Sequence, residues 1–134
     1  MAEFIYIAPL IMGVIIGLVE MFFLSKDEAG LHWLGHGLHA LPVCIIFTFL
    51  AMNVPWVVGA INQPWLSGAL GTYIIPIIIG IVAAVKVKTA AAIARGGSVG
   101  ETWIHALIIG LLIAASPWIW SLALVKVVPA WMAK

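Results

Sequence analysis

Charged residues are scarce in this sequence. Asp, Glu, Lys and Arg make up 8% of its 134 residues and hydrophobic residues 65%, whereas soluble domains carry about 25% charged residues. The net charge is +1, so no excess of positive charge is available to neutralise nucleic-acid phosphates. The composition therefore excludes a soluble globular domain and argues against a nucleic-acid-binding protein.

Cysteine and catalytic motifs are also scarce. The single cysteine, Cys44, has no second cysteine in the chain for a disulfide, and its apolar neighbours are typical of a packing thiol. The sequence has no nucleophile elbow and no Gly-rich phosphate loop. Glu3 stands where a signal peptide has basic residues, so a cleaved signal is not expected. An enzyme is therefore the less favoured class.

Long apolar runs fill most of the chain. They cover residues 4–24, 31–53, 66–85 and 103–125. Each run is near or above the roughly 20 residues that a helix needs to cross a hydrocarbon layer about 30 Å thick. The sequence therefore predicts an all-α, multi-pass integral membrane protein with four transmembrane helices in one membrane domain, residues 1–134.

The charges between the runs predict an orientation. Lys86, Lys88 and Arg95 lie between the third and fourth runs, whereas residues 54–65 carry no charge. Cytoplasmic connections are enriched in Lys and Arg, so we expect the third connection in the cytoplasm and both termini outside. Seven tryptophans lie near the ends of the predicted spans, as interfacial anchors do. They are Trp33, Trp56, Trp65, Trp103, Trp118, Trp120 and Trp131.

The two halves of the chain share short patterns. Pro9 and Gly13 recur 67 positions later as Pro76 and Gly80. The tripeptide at residues 39–41, His-Ala-Leu, recurs 66 positions later. These matches predict a tandem repeat of a two-helix hairpin, residues 1–66 and 67–134, with parallel copies related by an axis along the membrane normal.

Two S-x-x-E patterns support a different alignment of the halves. They cover residues 25–28 and 98–101 and are typical of capping boxes, which open helices. They are 73 positions apart, so the alignment stays open between a shift of 66 or 67 and a shift of 73.

Small residues recur four positions apart in the first and third runs. They are Gly13 with Gly17, and Gly80 with Ala84. Such spacing lets helix backbones approach closely in a membrane, so it predicts helix packing within the chain or between subunits. A unit this small is expected to form a homo-oligomer or to join a larger membrane complex. Thr48 and Asn53 are expected to hydrogen-bond across helices.

Glu20 is the acidic residue that lies well inside a predicted span. It shares a helix face with Gly13 and Gly17, so it is expected to face other helices. An ionised carboxylate in a membrane is costly unless it pairs, reaches water or is protonated. Glu20 is therefore a candidate proton or cation site; the alternative is a structural acid near the interface, paired with Lys26.

Three histidines open the second run. His32, His36 and His39 follow an i, i+4, i+7 spacing and so share one helix face. Imidazoles bind metal ions and carry protons near neutral pH, and Glu20 would complete such a metal site. The alternative is a hydrated helix entrance at the membrane boundary.

A pair of histidines suggests a second kind of site. His39 and His105 belong to the repeated tripeptide, and the repeat predicts similar depths for them. Two histidines facing each other in a helical bundle can ligate haem b iron for electron transfer.

Three functions therefore remain open on the sequence. The first is a membrane protein that binds or conducts a cation, either a proton or a metal ion. The second is a non-catalytic accessory subunit of a membrane complex. The third is a haem-binding electron-transfer subunit.

Overall fold

The computed structural model describes residues 2–27, 33–94 and 102–132, which are almost entirely helical. The helix content is 86%, and these residues contain no strand. The α-helices are α1 (Ile7–Asp27), α2 (Trp33–Met52), α3 (Val54–Ile61), α4 (Ile75–Ala94) and α5 (Trp103–Leu122). A five-residue π-helical turn, Leu70–Ile74, leads directly into α4.

Several of these helices are long and apolar enough to cross a membrane. Three segments qualify alone: Ile7–Lys26, Leu70–Thr89 and Trp103–Lys126. The part of α2 from His39 and the short α3 qualify together, although they meet at a bend of 50°. The all-helical class and the three or four membrane-type helices are thus confirmed.

The bend between α2 and α3 follows from Pro55. Proline has no N–H, so the carbonyl of Ala51 loses its helical partner at this point. Pro55 lies in the first turn of α3, where its fixed φ favours a helix start. Asn62, with φ 53°, ends α3 in the left-handed region. The sequence predicted only an uncharged connection here, so α3 is an additional element.

The capping box predicted at residues 25–28 is wrong. Ser25 lies in the last turn of α1, where its hydroxyl donates to the Phe22 carbonyl at 2.7 Å. The second predicted box, residues 98–101, lies outside the described residues, and α5 begins at Trp103 after the N-cap residue Thr102. A serine that bonds back to its own helix is compatible with the helix interior, so the apolar run of α1 continues through it.

The helices form two tightly packed antiparallel hairpins, α1 with α2 and α4 with α5. In the first, a Cβ added to Gly13 would lie 2.6 Å from the Ile45 Cα, and one added to Gly17 would lie 2.8 Å from Leu41 Cδ2. The glycines therefore let α2 approach α1 to backbone contact.

The second hairpin is packed even more closely. A Cβ added to Gly80 would meet the carbonyl oxygen of Gly110, and one added to Gly110 would meet that of Gly80. Ala84 and Ala114 border the same contact. The structure thus places all four predicted packing positions inside the hairpins.

The core lies between the hairpins. Its fully buried members include Met12, Ile16, Cys44, Ile109 and Ile113. Trp120 also belongs to this core and is 6% exposed, so its predicted role as an interfacial anchor is wrong. It lies four positions after Ser116 and seven after Ile113, on the buried face of α5.

Candidate functional site

Glu20 lies at the junction of three helices. It is 1% exposed. Gly17, three positions earlier, packs against Leu41 of α2. Phe23, three positions later, stacks on His105 of α5 with ring centroids 4.3 Å apart. Because residues three apart on a helix are surface neighbours, Glu20 lies between these two contacts.

Apolar side chains adjoin Glu20 on α1 and α2. Met21, Leu24 and Ala40 form a buried cluster beside it, with Leu41 packed against them. Glu20 lies seven residues, or about 10 Å of helix, from the C-terminus of α1. We call this end of the bundle, where α1 and α4 end and α5 begins, the basic end, because Lys26, Lys86 and Lys88 lie on the described helices there.

Lys26, proposed from the sequence as a partner of Glu20, is exposed. Its ammonium lies 5.2 Å from the centroid of the Phe22 ring. Lys88 makes a similar contact with Trp103, at 4.9 Å. These cation–π contacts hold positive charge at the surface of the basic end.

The structure describes part of the predicted histidine stripe, by which we mean the helix face shared by His32, His36 and His39. His39 is exposed in α2, and His36 lies in α2 with its side chain outside the described residues. His32 lies outside the described residues altogether. Within the described part of the chain, no group of three His, Cys, Asp or Glu residues is arranged to hold a metal ion. The metal site therefore stays a prediction.

The two repeated histidines differ in depth and burial. The contact of Gly17 with Leu41 places His39 opposite about residue 19 of α1, whereas His105 stacks on Phe23. Four residues of helix separate these levels, or about 6 Å. His39 is exposed and His105 is half-buried. The haem hypothesis thus stays a prediction, and the two histidines that it uses lie at different levels of the bundle.

Thr48 is a buried polar residue in the middle of the bundle. It is fully buried in α2, and among the described residues its hydroxyl has no hydrogen-bond partner. Asn53 bonds to backbone that precedes α1: its side chain accepts from the Ile5 N–H and donates to the Ile5 carbonyl, both at 2.9 Å. Among the described residues, neither Thr48 nor Asn53 therefore makes the expected bond from one helix to another.

A cavity of about 250 Å³ lies at the opposite end of the bundle, which we call the α3 end. Its walls include Ala51, Thr72, Pro117 and Ser121. Sequence reasoning missed this cavity, because it depends on the bend after α2 and on the π-helical turn. A second cleft of about 330 Å³ beneath α3 is lined by apolar side chains such as Leu50, which offer no ligand for a cation.

No known protein family, no curated protein and no solved structure matches this chain. The assignment of function therefore depends on the geometry of the chain itself.

Proposed function

We propose that this protein is a multi-pass membrane protein that binds and passes protons through Glu20. The observation that carries the proposal is the burial of this carboxylate at the junction of α1, α2 and α5, inside a segment apolar enough to span a membrane. Acidic residues in such segments are costly to keep and mark ion or proton pathways.

A proton fits the site better than a metal ion. One carboxylate is enough to carry a proton, whereas a metal ion needs several donors around it. Glu20 is the one carboxylate in the buried set of described residues. A metal ion bound by Glu20 with His32, His36 and His39 is the variant of this proposal that uses the whole histidine stripe.

The histidines of the basic end would supply protons to Glu20. His39 lies on α2 near the level of residue 19, and His105 lies one turn beyond Glu20 on the side of Phe23. Imidazole nitrogens both donate and accept hydrogen bonds, so both residues suit exchange between water at the basic end and the buried carboxylate.

The proposal includes a membrane orientation. We place the basic end in the cytoplasm and both termini outside, because Lys26, Lys86 and Lys88 lie at the basic end and cytoplasmic connections are enriched in Lys and Arg. In the sequence, Arg95 adds a further positive charge between the third and fourth apolar runs. Lys126, at the other end, is a smaller opposing charge.

A duplicated hairpin is part of the same architecture. Gly13 lies opposite Ile45, and moving both positions by 67 places Gly80 opposite residue 112. In the structure Gly80 meets Gly110 and Ala114, which flank that position. The common register supports the shift of 66 or 67 over the shift of 73.

An accessory role in a membrane complex is the second candidate function. The observation that favours it is a shallow apolar groove of about 190 Å³ on the outer face of α4 and α5, with Gly80 and Gly110 at its base. Its rim residues Ile81 and Leu111 are 58% and 68% exposed. Replacing Leu111 with Trp would fill the groove. This role would be supported if the wild-type protein is part of a larger complex and the Leu111→Trp variant no longer is.

Proton flux into liposomes tests the main proposal. We expect reconstituted protein to dissipate an imposed pH gradient and Glu20→Gln to slow it by at least about tenfold, because the amide cannot carry the proton. Glu3→Gln is the matched control, since Glu3 is exposed and precedes α1. Equal flux in the Glu20→Gln and wild-type proteins would reject the proposal.

Spectroscopy and metal analysis separate the other variants. A Soret band in purified protein that His39→Ala or His105→Ala removes would establish the haem carrier. Stoichiometric metal lost in His36→Ala would establish the metal site.

A further inference from the structure

Among the buried hydroxyls of the described residues, that of Thr48 differs from that of Ser116 because it has no hydrogen bond. Threonine in a helix commonly bonds back to a carbonyl of the preceding turn, as Thr89 does with the Val85 carbonyl at 2.9 Å. Ser116 does the same with the Ile113 carbonyl at 2.7 Å. Thr48 makes no such bond, although it is 0% exposed.

An unsatisfied hydroxyl in an apolar core is costly. Burying one without a hydrogen bond costs about 1–3 kcal/mol, so buried polar groups normally have a partner in the protein or in bound water. The chain offers no acceptor or donor to Thr48 within the described residues. We infer that its partner is a small polar molecule, and water is the one that protein interiors commonly hold at such groups.

Thr48 lies between the cavity of the α3 end and Glu20. Ala51, which lines that cavity, is one turn from Thr48 on α2. In the other direction the register of α1 and α2 places Glu20 opposite about residue 38, which is ten residues or about 15 Å from Thr48.

The interior face of α2 along this line carries small side chains. Ala40, Cys44, Thr48 and Ala51 are all buried on it, with exposures of 3%, 0%, 0% and 0%. Met12 packs in the same core, and its unbranched side chain adapts readily to a changed neighbour. Such small side chains are compatible with a water molecule bound beside Thr48.

We propose that the Thr48 hydroxyl binds a water molecule on the proton route between the α3-end cavity and Glu20. The hydroxyl donates one hydrogen bond and accepts another, so it orients the water without gaining or losing a proton itself. The inference rests on the proposed function, because it assigns the route to the same proton that Glu20 carries. Thr48 is a positioning residue in this route.

Proton flux in liposomes tests the role of Thr48 with two replacements. Thr48→Val keeps the shape and removes the hydroxyl, and we expect flux to fall by about fivefold, as the loss of one hydrogen bond implies. Thr48→Ser keeps the hydroxyl and should retain flux within about twofold. Ser116→Ala is the control, because its hydroxyl is equally buried but already bonded to the Ile113 carbonyl.

A second readout on the wild-type protein detects the water directly. Radiolysis of bound water yields hydroxyl radicals that label the side chains beside it, so we expect labelling of Cys44 or Thr48 in membrane-embedded protein. Absence of labelling at both residues would overturn the inference, whether or not the variants fold.

The outcomes for Glu20 and Thr48 are distinguishable. If Glu20→Gln stops flux and Thr48→Val leaves it unchanged, the Thr48 inference fails and the function of Glu20 stands. If Glu20→Gln leaves flux unchanged, the proposed function fails, and labelling alone decides whether water reaches Thr48.

Discussion

At the scale of single residues, Asn53 shows how a side chain replaces missing backbone bonds. Its amide binds both the N–H and the carbonyl of Ile5, and it also donates to the Phe49 carbonyl at 3.0 Å. The residues before α1 are thereby attached to the bend between α2 and α3. Phe4 completes the contact, with its ring centroid 5.0 Å from that of Trp56.

We expect Asn53→Ala to destabilise the protein by about 2 kcal/mol, because the partly buried N–H and carbonyl of Ile5 lose their partner. Unfolding of the detergent-solubilised protein would measure this. Gln63→Ala is the control, since Gln63 is exposed and follows α3. Equal stability of Asn53→Ala and wild type would show that the N-terminal residues do not depend on the amide.

The residue scale also shows what the sequence could predict. Glu20 was identified because a carboxylate in an apolar run is conspicuous, and its burial agrees with that choice. Asn53 was expected to bond across helices, but its partner is backbone, which no side-chain pattern reveals. The unsatisfied Thr48 hydroxyl could not be predicted, since most helical threonines bond to their own helix.

At the scale of helices, proline and glycine determine where the bundle bends and where it closes. Pro117 deprives the Ile113 carbonyl of its helical N–H, and the Ser116 hydroxyl donates to that carbonyl instead. Pro76 cannot donate to Thr72, and the adjoining π-helical turn, in which the Ile75 N–H bonds to the Leu70 carbonyl, shifts the bonding pattern around it.

The contact between Gly80 and Gly110 gives a prediction for the second hairpin. A methyl group at Gly110 would meet the Gly80 carbonyl, and backbone cannot move aside cheaply. We expect Gly110→Ala to cost about 1–3 kcal/mol in overpacking, measured by thermal unfolding in detergent. Leu111→Ala, at the neighbouring exposed position, should have a smaller effect. The reverse order would contradict the packing described.

Helix boundaries were predicted unevenly for physical reasons. The apolar run predicted a start at Trp103, where α5 begins, whereas the S-x-x-E pattern at residues 98–101 predicted an earlier one. α3 was missed because its apolar residues lie in a segment without charge, which looks like a connection between spans. The bend at Pro55 separates α3 from α2, and apolar composition alone does not reveal a change in helix direction.

At the scale of the whole molecule, the account predicts one orientation in the membrane. In a Cys44→Ala background, Ser67→Cys at the α3 end should react with an impermeant thiol reagent applied outside intact cells. Lys26→Cys at the basic end should react only after permeabilisation. Both positions are exposed on the protein, so labelling in the reverse order would place the basic end outside.

The claim on which the account depends most is that the buried carboxylate of α1 carries protons across the bundle. The most direct measurement is the rate at which purified protein collapses a pH gradient across liposomes, compared between wild type and Glu20→Gln at equal reconstitution. The account predicts rapid collapse with wild type and a rate near that of protein-free liposomes with Glu20→Gln. Collapse at the same rate in both would contradict it.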